Sequence, residues 1–286
     1  MTLVRPVGLS PTGPFSLDRH VGRGTAFACA GVLAALNAQA DQIINSLRYQ
    51  SAEIAVTTLG GVGAIMWMAM FAVVKIGLED ERTPVGRADI IVLLSVAALS
   101  LLPVSLAAQA GLLLCGLYLL ATSAPASPLR RISVVLLALT GSLIWGRLFL
   151  HVFATPILAL DAHLVGSLIG SPVNGNTVDF PGANGKFLVG TPCSSVHNIS
   201  LAIVLWATAG ALFSLRIDKK YVLVGLAMAG WMFALNIARL VAVGLFPAHY
   251  YFLHGGTGAA LFGWASLIGA AFIAARGVIG AVARQR

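Results

Sequence analysis

Residues 193–215 read CSSVHNISLAIVLWATAGALFSL, an apolar run without a lysine, arginine, aspartate or glutamate. A helix of this length covers the roughly 30 Å hydrocarbon layer of a bilayer, because each residue adds about 1.5 Å. The run therefore predicts a membrane-spanning helix. Over the whole chain 58% of the residues are hydrophobic and 10% are charged, and the mean hydropathy is +0.90. This composition predicts an all-α polytopic membrane protein with a single integral membrane domain over residues 1–286.

Eight windows of about 20 apolar residues are candidate transmembrane helices. They lie near residues 25–44, 54–75, 88–106, 109–125, 132–152, 193–215, 221–246 and 257–279. The first and the fourth windows also fit re-entrant or interfacial segments, because the first carries polar residues near its end and the fourth closely follows the third. The first window has no small-residue cleavage site that stands out, so we interpret it as a retained helix and not as a signal peptide.

The basic residues indicate how these helices are oriented. With a cytoplasmic N-terminus, 14 of the 18 lysines and arginines fall in segments that face the cytoplasm, beginning with a tail at residues 1–24. Arg48 and Lys186 fall in outer segments, and Arg147 and Arg239 lie within apolar runs. Cytoplasmic loops carry such an excess of positive charge, so we expect both termini inside. These loops explain the net charge of +8, and nucleic acid is not an expected partner.

The longest non-apolar stretch, residues 171–192, lies between the fifth and the sixth window. Its segments 176–180 and 186–189 alternate polar and apolar residues around Pro-Gly-Ala-Asn-Gly, a pattern typical of a β-hairpin. The charge pattern predicts that this loop lies outside the cytoplasm. The preceding residues 157–169 contain Asp161 and His163 among apolar residues, and we expect them to form a helix at the outer membrane interface.

The three cysteines, Cys29, Cys115 and Cys193, are too few and too scattered for a disulfide framework or a zinc site. We expect neither a metal nor a cofactor. Cys193 follows Pro192 at the predicted start of a helix, where exposed backbone N–H groups favour a thiolate. A small apolar residue at a helix start would occupy the same position, so this pattern by itself leaves both interpretations open.

Depth along the predicted helices brings three polar residues to one level. Cys193 begins the sixth helix at its outer boundary, and His254 lies in the outer connection before the eighth. Arg239 lies about 27 Å from the inner end of the seventh helix at Tyr221, since each residue adds about 1.5 Å. An arginine in an apolar helix is costly unless it reaches the headgroups or a partner. Asn236, three residues earlier on the same face, can orient its guanidinium.

Cysteine, arginine and histidine together fit acyl transfer by a thiol. A histidine can take the proton of the thiol and return it to the leaving amine, and an arginine can stabilise the oxyanion. His197, one helical turn after Cys193, is an alternative base. Arg147, in the outer part of the fifth window, could hold the carboxyl end of a substrate or a lipid phosphate.

Three segments resemble the exosortase/archaeosortase family in their order, their spacing and their predicted membrane side. They are Val189-Gly-Thr-Pro-Cys193-Ser194-Ser195, Asn236-Ile-Ala-Arg239 and Leu253-His254-Gly-Gly-Thr-Gly258, and the resemblance covers roughly residues 169–263. It implies that Cys193, Arg239 and His254 are catalytic. The expected substrate-binding residues are Asn236, Arg147, Ser194 and Ser195. The family usually reads Cys-Ser-Gly or Cys-Ala-Gly where this chain has Ser195, which bears on the fit of the active site.

The resemblance also implies a function. Members of the family are proposed to cleave a C-terminal sorting signal from exported proteins and to transfer the new C-terminus to a surface acceptor. The expected enzyme is therefore a cysteine protease or transpeptidase that works through a thioester at the outer face of the plasma membrane. Its expected partners are membrane lipid and exported proteins that end in a short motif, a transmembrane helix and a basic tail.

Two other classes of function compete with this prediction. In a transporter or a channel, Arg147 and Arg239 would line a pathway through the membrane. Against this stand the position of the polar residues at one membrane face and the lack of an acidic partner in the later windows. The third class is a non-catalytic membrane component of an export or polysaccharide system.

Overall fold

The computed structural model describes residues 21–57, 59–80, 83–182 and 184–285, so most of the predicted N-terminal tail lies outside the described residues. The described chain forms twelve α-helices, which we number in chain order. They are α1 (Arg23–Asn37), α2 (Ala40–Tyr49), α3 (Ala52–Thr57), α4 (Ala64–Gly77), α5 (Arg87–Leu101), α6 (Ser105–Thr122), α7 (Pro128–Thr140), α8 (Gly146–Ile169), α9 (Ser195–Leu212), α10 (Lys219–Leu245), α11 (Tyr250–Gly255) and α12 (Thr257–Gln285). A π-helical turn, Gly141–Trp145, joins α7 to α8.

Six helices in the described part of the chain are long and apolar enough to cross a membrane. They are Ser105–Thr122, Pro128–Trp145, Leu148–Ile169, Ser195–Leu212, Lys219–Leu245 and Thr257–Gln285. The helices α1 and α2 are bent by 50° at the break between them, and together they would supply a seventh span. The protein is therefore an all-α multi-pass membrane protein, as its composition predicts.

Two further predicted windows, 54–75 and 88–106, contain helices of only 14 and 15 residues, which are shorter than a membrane span. Window 54–75 is divided by Gly60, Gly61 and Gly63, whose positive φ angles are unsuited to a helix. The helix that follows them, α4, has 14 residues. The helix α5 has 15 residues and ends two residues before Pro103, since the residue that precedes a proline is disfavoured in a helix.

The segment 157–169 was predicted to be a separate helix at the membrane interface, but it is the second half of α8. The backbone of α8 departs from helical geometry at Phe153, three residues before Pro156. A proline inside a helix lacks an N–H group and clashes with the preceding turn, which accounts for the kink. The predicted interfacial segment is thus continuous with the fifth window but runs in a different direction.

The residues between α8 and α9 form a small antiparallel sheet. Its strands are β1 (Val173–Asn174), β2 (Thr177–Asp179) and β3 (Lys186–Leu188), in the order β1-β2-β3. The strands β2 and β3 occupy the two segments that the sequence predicts to pair, with Val178 opposite Phe187. Both of these side chains are buried. The sheet therefore has one apolar face against the helices.

Two clusters of buried apolar side chains hold the protein together. The larger cluster contains Phe27, Leu112, Leu136 and Met228, and it joins the helices of the N-terminal half to α9, α10 and α12. The smaller cluster joins the second half of α8 and the sheet to the end of α10. Its members are Leu158, Ala162, Val165, Val178, Phe187, Val189, Cys193, Ile237, Leu240 and Val243. Cys193 is thus part of the smaller cluster.

A buried polar network connects the start of α1 to α5 and α6. Arg23 Nε donates to Asp89 Oδ1 at 2.9 Å, and Arg23 Nη2 donates to Thr122 Oγ1 at 2.6 Å. Tyr118 Oη donates to the same Asp89 oxygen at 2.8 Å. Because the carboxylate and the guanidinium are both mostly buried, each depends on the other for compensation of its charge.

Two ion pairs link further connections at the same end of the helices. Arg131, in the first turns of α7, forms an ion pair with Glu79, which follows α4. Arg284, near the end of α12, pairs with Asp218, which precedes α10, at 3.3 Å. Together with the network of Arg23, these contacts connect the segments in which the charge pattern predicts cytoplasmic loops. Those segments therefore lie at a common end of the described helix bundle.

Candidate active site

Cys193 lies in a turn between the sheet and α9. A 3₁₀ turn, Thr191–Cys193, brings the Cys193 N–H within 2.9 Å of the Gly190 carbonyl oxygen, and the side chain is only 4% exposed. The helix that was predicted to begin at Cys193 begins at Ser195, with Ser194 as its N-cap. The thiol therefore precedes the helix and is not part of its first turn.

The first N–H groups of α9 are occupied by other acceptors. Ser194 Oγ accepts a hydrogen bond from the Val196 N–H at 3.2 Å, and Asp161 Oδ2 accepts one from the Ser195 N–H at 2.9 Å. Asp161 belongs to α8 and is 2% exposed. These two N–H groups therefore bind Asp161 and Ser194 and not the thiol of Cys193, which precedes the helix.

Asp161 is a residue of the site that the sequence reasoning missed. It was assigned only to an interfacial helix, yet its carboxylate holds the turn that carries Cys193. The available signal was an acidic residue in an otherwise apolar segment, which is rare unless the residue has a partner. That partner, the Ser195 N–H, is a backbone group 34 residues away and has no signature in the sequence.

His254 contacts the thiol directly. Cys193 Sγ and His254 Nε2 are 3.5 Å apart, within the range of a hydrogen bond that involves sulfur. The imidazole belongs to α11 and stacks on the ring of Tyr250, one helical turn earlier, with the ring centroids 5.0 Å apart and the planes 12° from parallel. The stacking fixes the orientation of the imidazole towards the thiol.

Asn236 and Arg239 approach the same cysteine from α10. Asn236 is 5% exposed, and its Nδ2 donates to the Cys193 carbonyl oxygen at 2.7 Å. Its Oδ1 accepts a hydrogen bond from Arg239 Nη2 at 3.2 Å. Asn236 thus makes the contact with the Arg239 guanidinium that its predicted orienting role needs. Cys193, His254, Asn236 and Arg239 come together from three segments of the chain.

The environment of His254 lowers the pKa of its imidazole below the ordinary value of about 6.5. Partial burial disfavours the charged form, and the positive charge of Arg239 disfavours it further. Both effects favour the neutral imidazole, which is the form that can accept a proton from a thiol.

The remaining predicted residues differ in their exposure and surroundings. His197, the alternative base, is exposed in the first turn of α9 and lines a neighbouring cavity. Ser195 is buried, and its Oγ has no hydrogen-bond partner among the described residues. Arg147 is placed in α8 by its backbone, and its side chain lies outside the described part of the structure. The described residues include no cluster of histidine, cysteine, aspartate and glutamate that could hold a metal ion.

A cavity of about 660 Å³ adjoins the turns that carry Cys193 and His254, although neither of these two residues lines it. Thr191 and Pro192, which precede Cys193, line it together with Gly255 and Gly256, which follow His254. The opposite wall comes from the N-terminal half of the chain, including Gln39, Gln42 and residues 61–66. The N-terminal helices, for which the sequence predicted no role at the site, therefore form part of the cavity wall.

The thiol lies within hydrogen-bond reach of an imidazole that stacks on a tyrosine ring. A guanidinium is held by a buried amide that also binds the carbonyl of the cysteine. A thiol, an imidazole and a guanidinium are groups that acyl transfer by a thiol can use. No protein-family model, curated protein or solved structure matches the chain.

Proposed function

We propose that this protein is a membrane-embedded cysteine protease or transpeptidase of the exosortase/archaeosortase type. It cleaves a C-terminal sorting signal from exported proteins and passes through a thioester on Cys193. The observation that carries this proposal is the 3.5 Å contact between Cys193 Sγ and His254 Nε2. The two residues are 61 positions apart in the chain and belong to two different motifs.

The first half of the reaction forms the thioester. The thiol proton of Cys193 passes to His254 Nε2, and the sulfur attacks the carbonyl carbon of the scissile amide. The negative charge that develops on the carbonyl oxygen faces the guanidinium of Arg239. When the C–N bond breaks, the proton on His254 moves to the leaving amine. The acyl group of the substrate then remains on sulfur.

The second half of the reaction returns the enzyme to its starting state. His254, neutral again, takes a proton from the acceptor nucleophile or from water, and that nucleophile attacks the thioester carbonyl. The C–S bond breaks, and the proton on His254 returns to the sulfur of Cys193. A neutral imidazole is needed at the start of both halves, and the lowered pKa of His254 supports this role.

Asn236 supports the reaction by positioning. Its amide donates to the carbonyl of Cys193 and accepts from Arg239, so it sets the distance between the nucleophile and the guanidinium. Substrate contacts are assigned to Asn236, Ser194, Ser195 and Arg147, as the sequence predicts. The buried hydroxyl of Ser195 has an unused hydrogen-bonding capacity among the described residues, which supports a role close to the substrate.

The proposed topology has eight crossings, with both termini in the cytoplasm and the site at the outer face of the plasma membrane. The crossings are α1, α4, α5, α6, α7, α9, α10 and α12. The helix α8 is also long and apolar enough to span a membrane, but its second half follows the kink at Phe153 and packs against the sheet and the end of α10, so we place that half at the outer interface. The distribution of basic residues supports this arrangement. It is also supported by the polar contacts that connect the predicted cytoplasmic segments at one end of the bundle.

Labelling with a membrane-impermeant maleimide tests the sidedness of the site. The starting variant carries Cys29→Ala and Cys115→Ala, so that Cys193 is its sole thiol. We expect intact cells to label Cys193, and to label an exposed cysteine introduced by Asn174→Cys in the sheet more completely. A cysteine introduced by Lys220→Cys, in a predicted cytoplasmic segment, should require permeabilised cells. Labelling of Lys220→Cys but not of Asn174→Cys in intact cells would put the site on the wrong side for exported substrates.

A further inference from the structure

The cavity beside Cys193 and His254 is built by both halves of the protein. Met66 of α4 and Gln42 of α2 line one side, and Asn198 of α9 and Trp264 of α12 line the other. Its wall also includes Thr191, Pro192, Gly255 and Gly256, the neighbours of Cys193 and His254 in the chain, so the cavity adjoins the proposed reaction centre. A substrate segment in the cavity would then continue towards Cys193.

The volume of the cavity limits what it can hold. A peptide wound as a helix about 10 Å wide with a rise of about 1.5 Å occupies roughly 120 Å³ per residue. A volume of about 660 Å³ thus corresponds to a segment of about five residues. A complete transmembrane helix of about 20 residues would need roughly four times this volume. The cavity suits a short segment of a longer chain.

The chemistry of the wall favours a peptide over a lipid chain. The lining includes apolar groups from Met66, Leu201 and Trp264 together with the side chains of Gln42 and Thr257. A peptide carries an N–H and a C=O in nearly every residue, and these need partners when they leave water. A lipid acyl chain would bury the polar groups of the wall without compensation, which is unfavourable.

Glycine residues keep the cavity open along α12. A Cβ built at Gly263, in the second turn of this helix, meets no atom within 4 Å. Gly255, beside His254, also has open space around it. Glycine is a poor helix former, so an alanine at position 263 would favour the helix more. The wall is therefore shaped by small residues at a point where larger side chains would project into the cavity.

From these observations we infer that the cavity is the binding site for a segment of about five residues, rich in apolar side chains, that adjoins the scissile bond of a peptide substrate. This inference rests on the proposed function and extends it. The N-terminal segments, which carry none of the three motifs, supply one wall of the recognition surface.

Alkylation of Cys193 by two reagents tests the inference. The protein lacking Cys29 and Cys115, in lipid nanodiscs, is treated with iodoacetamide or with an iodoacetyl pentapeptide amide of the sequence Ala-Leu-Ala-Leu-Ala. In both reactions the sulfur forms a thioether and displaces iodide, and the thiol proton passes to His254 and then to buffer. We expect the peptide reagent to react about tenfold faster, which is the size of effect that a small complementary pocket provides. Intact mass gives both rates.

Substitution at Gly263 is the decisive comparison. Gly263→Leu should lower the ratio of the peptide-reagent rate to the iodoacetamide rate by about tenfold, because the leucine occupies the space of the peptide. Gly263→Ala should lower it less, and it favours folding of the helix. The matched control is Gly230→Leu, at another helical glycine with no atom within 4 Å of a Cβ, which does not line the cavity. This control should leave the ratio unchanged.

The possible failures can be told apart. A ratio near one in the unsubstituted protein, or a ratio that neither Gly263 variant lowers, overturns the peptide site. An advantage for dodecyl iodoacetamide that Gly263→Leu removes, with no advantage for the pentapeptide, assigns the cavity to a lipid chain and also overturns it. If iodoacetamide alkylates Cys193 no faster than in a His254→Ala variant, the proposed thiol–imidazole pair fails, whatever the ratio.

Discussion

Cys193→Ala, His254→Ala and the double variant are expected to lower the rate of substrate cleavage by about the same factor, on the order of 10⁴ or more. The thiol and the imidazole act in one step, so removing either leaves the other without a function. Their 3.5 Å contact is the structural reason to expect this lack of additivity. The measurement is the loss of the C-terminal tail from a co-expressed exported protein that ends in a short motif, an apolar helix and a basic tail.

His197→Ala is the control for the identity of the base. Because the imidazole in contact with the thiol belongs to His254, this variant should lose only a modest part of the activity. Cys115→Ala should retain cleavage, because that thiol is buried in the larger cluster, far from the motifs in the chain. An inactive His197→Ala variant together with an active His254→Ala variant would show that Cys193 and His197 form the catalytic pair.

Arg239→Ala is expected to lower the cleavage rate by about 10² to 10³, the usual cost of removing an oxyanion donor. Arg239→Lys should recover little of this loss. Lysine keeps the positive charge but lacks the planar set of donors, with which arginine can bind Asn236 and an oxyanion at the same time. The cleavage rates of Arg239→Ala and Arg239→Lys at saturating substrate distinguish an oxyanion donor from a diffuse charge. A lysine variant that is nearly as active as the unsubstituted protein would reduce the role of Arg239 to that of a diffuse charge.

The pH dependence of the same variants follows from the environment of His254. A base must be neutral, so activity falls as the pH drops through the pKa of His254, which lies below its ordinary value. Arg239→Gln removes the positive charge that contributes to this lowering, so the acid limb should move to higher pH. Arg239→Lys should leave the limb in place. The alkylation rate of Cys193 as a function of pH measures this movement of the acid limb even in variants that cleave substrate slowly. An acid limb that moves to lower pH in Arg239→Gln would contradict the role of Arg239 in lowering the pKa of His254.

Composition and local pattern were sufficient to predict the helical membrane class and the pairing of β2 with β3. Long apolar windows indicate helices buried in lipid, and alternating polar and apolar residues around glycine and proline indicate a hairpin. Cys193 and His254 were predicted to lie at one level of the membrane, and their side chains are in contact. Such a level can be predicted because the rise per residue of a helix is nearly constant.

The missed features depend on packing between distant segments. The helix start was predicted two residues too early because Ser194, and not Cys193, forms the cap. The role of Asp161 depends on a bond to a backbone group in another helix. The contribution of the N-terminal half to the cavity depends on how α2 and α4 lie against α9 and α12. A single sequence carries no pattern for such contacts.

The mass of the peptide that contains Cys193, taken during turnover, tests the thioester most directly. Enzyme and exported substrate are mixed in nanodiscs, quenched in acid after a few turnovers and digested for mass spectrometry. We predict that Cys193 carries the acyl portion of the substrate, that hydroxylamine releases it, and that His254→Ala does not accumulate it. Cleavage that continues in Cys193→Ala, or a hydroxylamine-labile adduct on another residue, would contradict a thiol mechanism at Cys193.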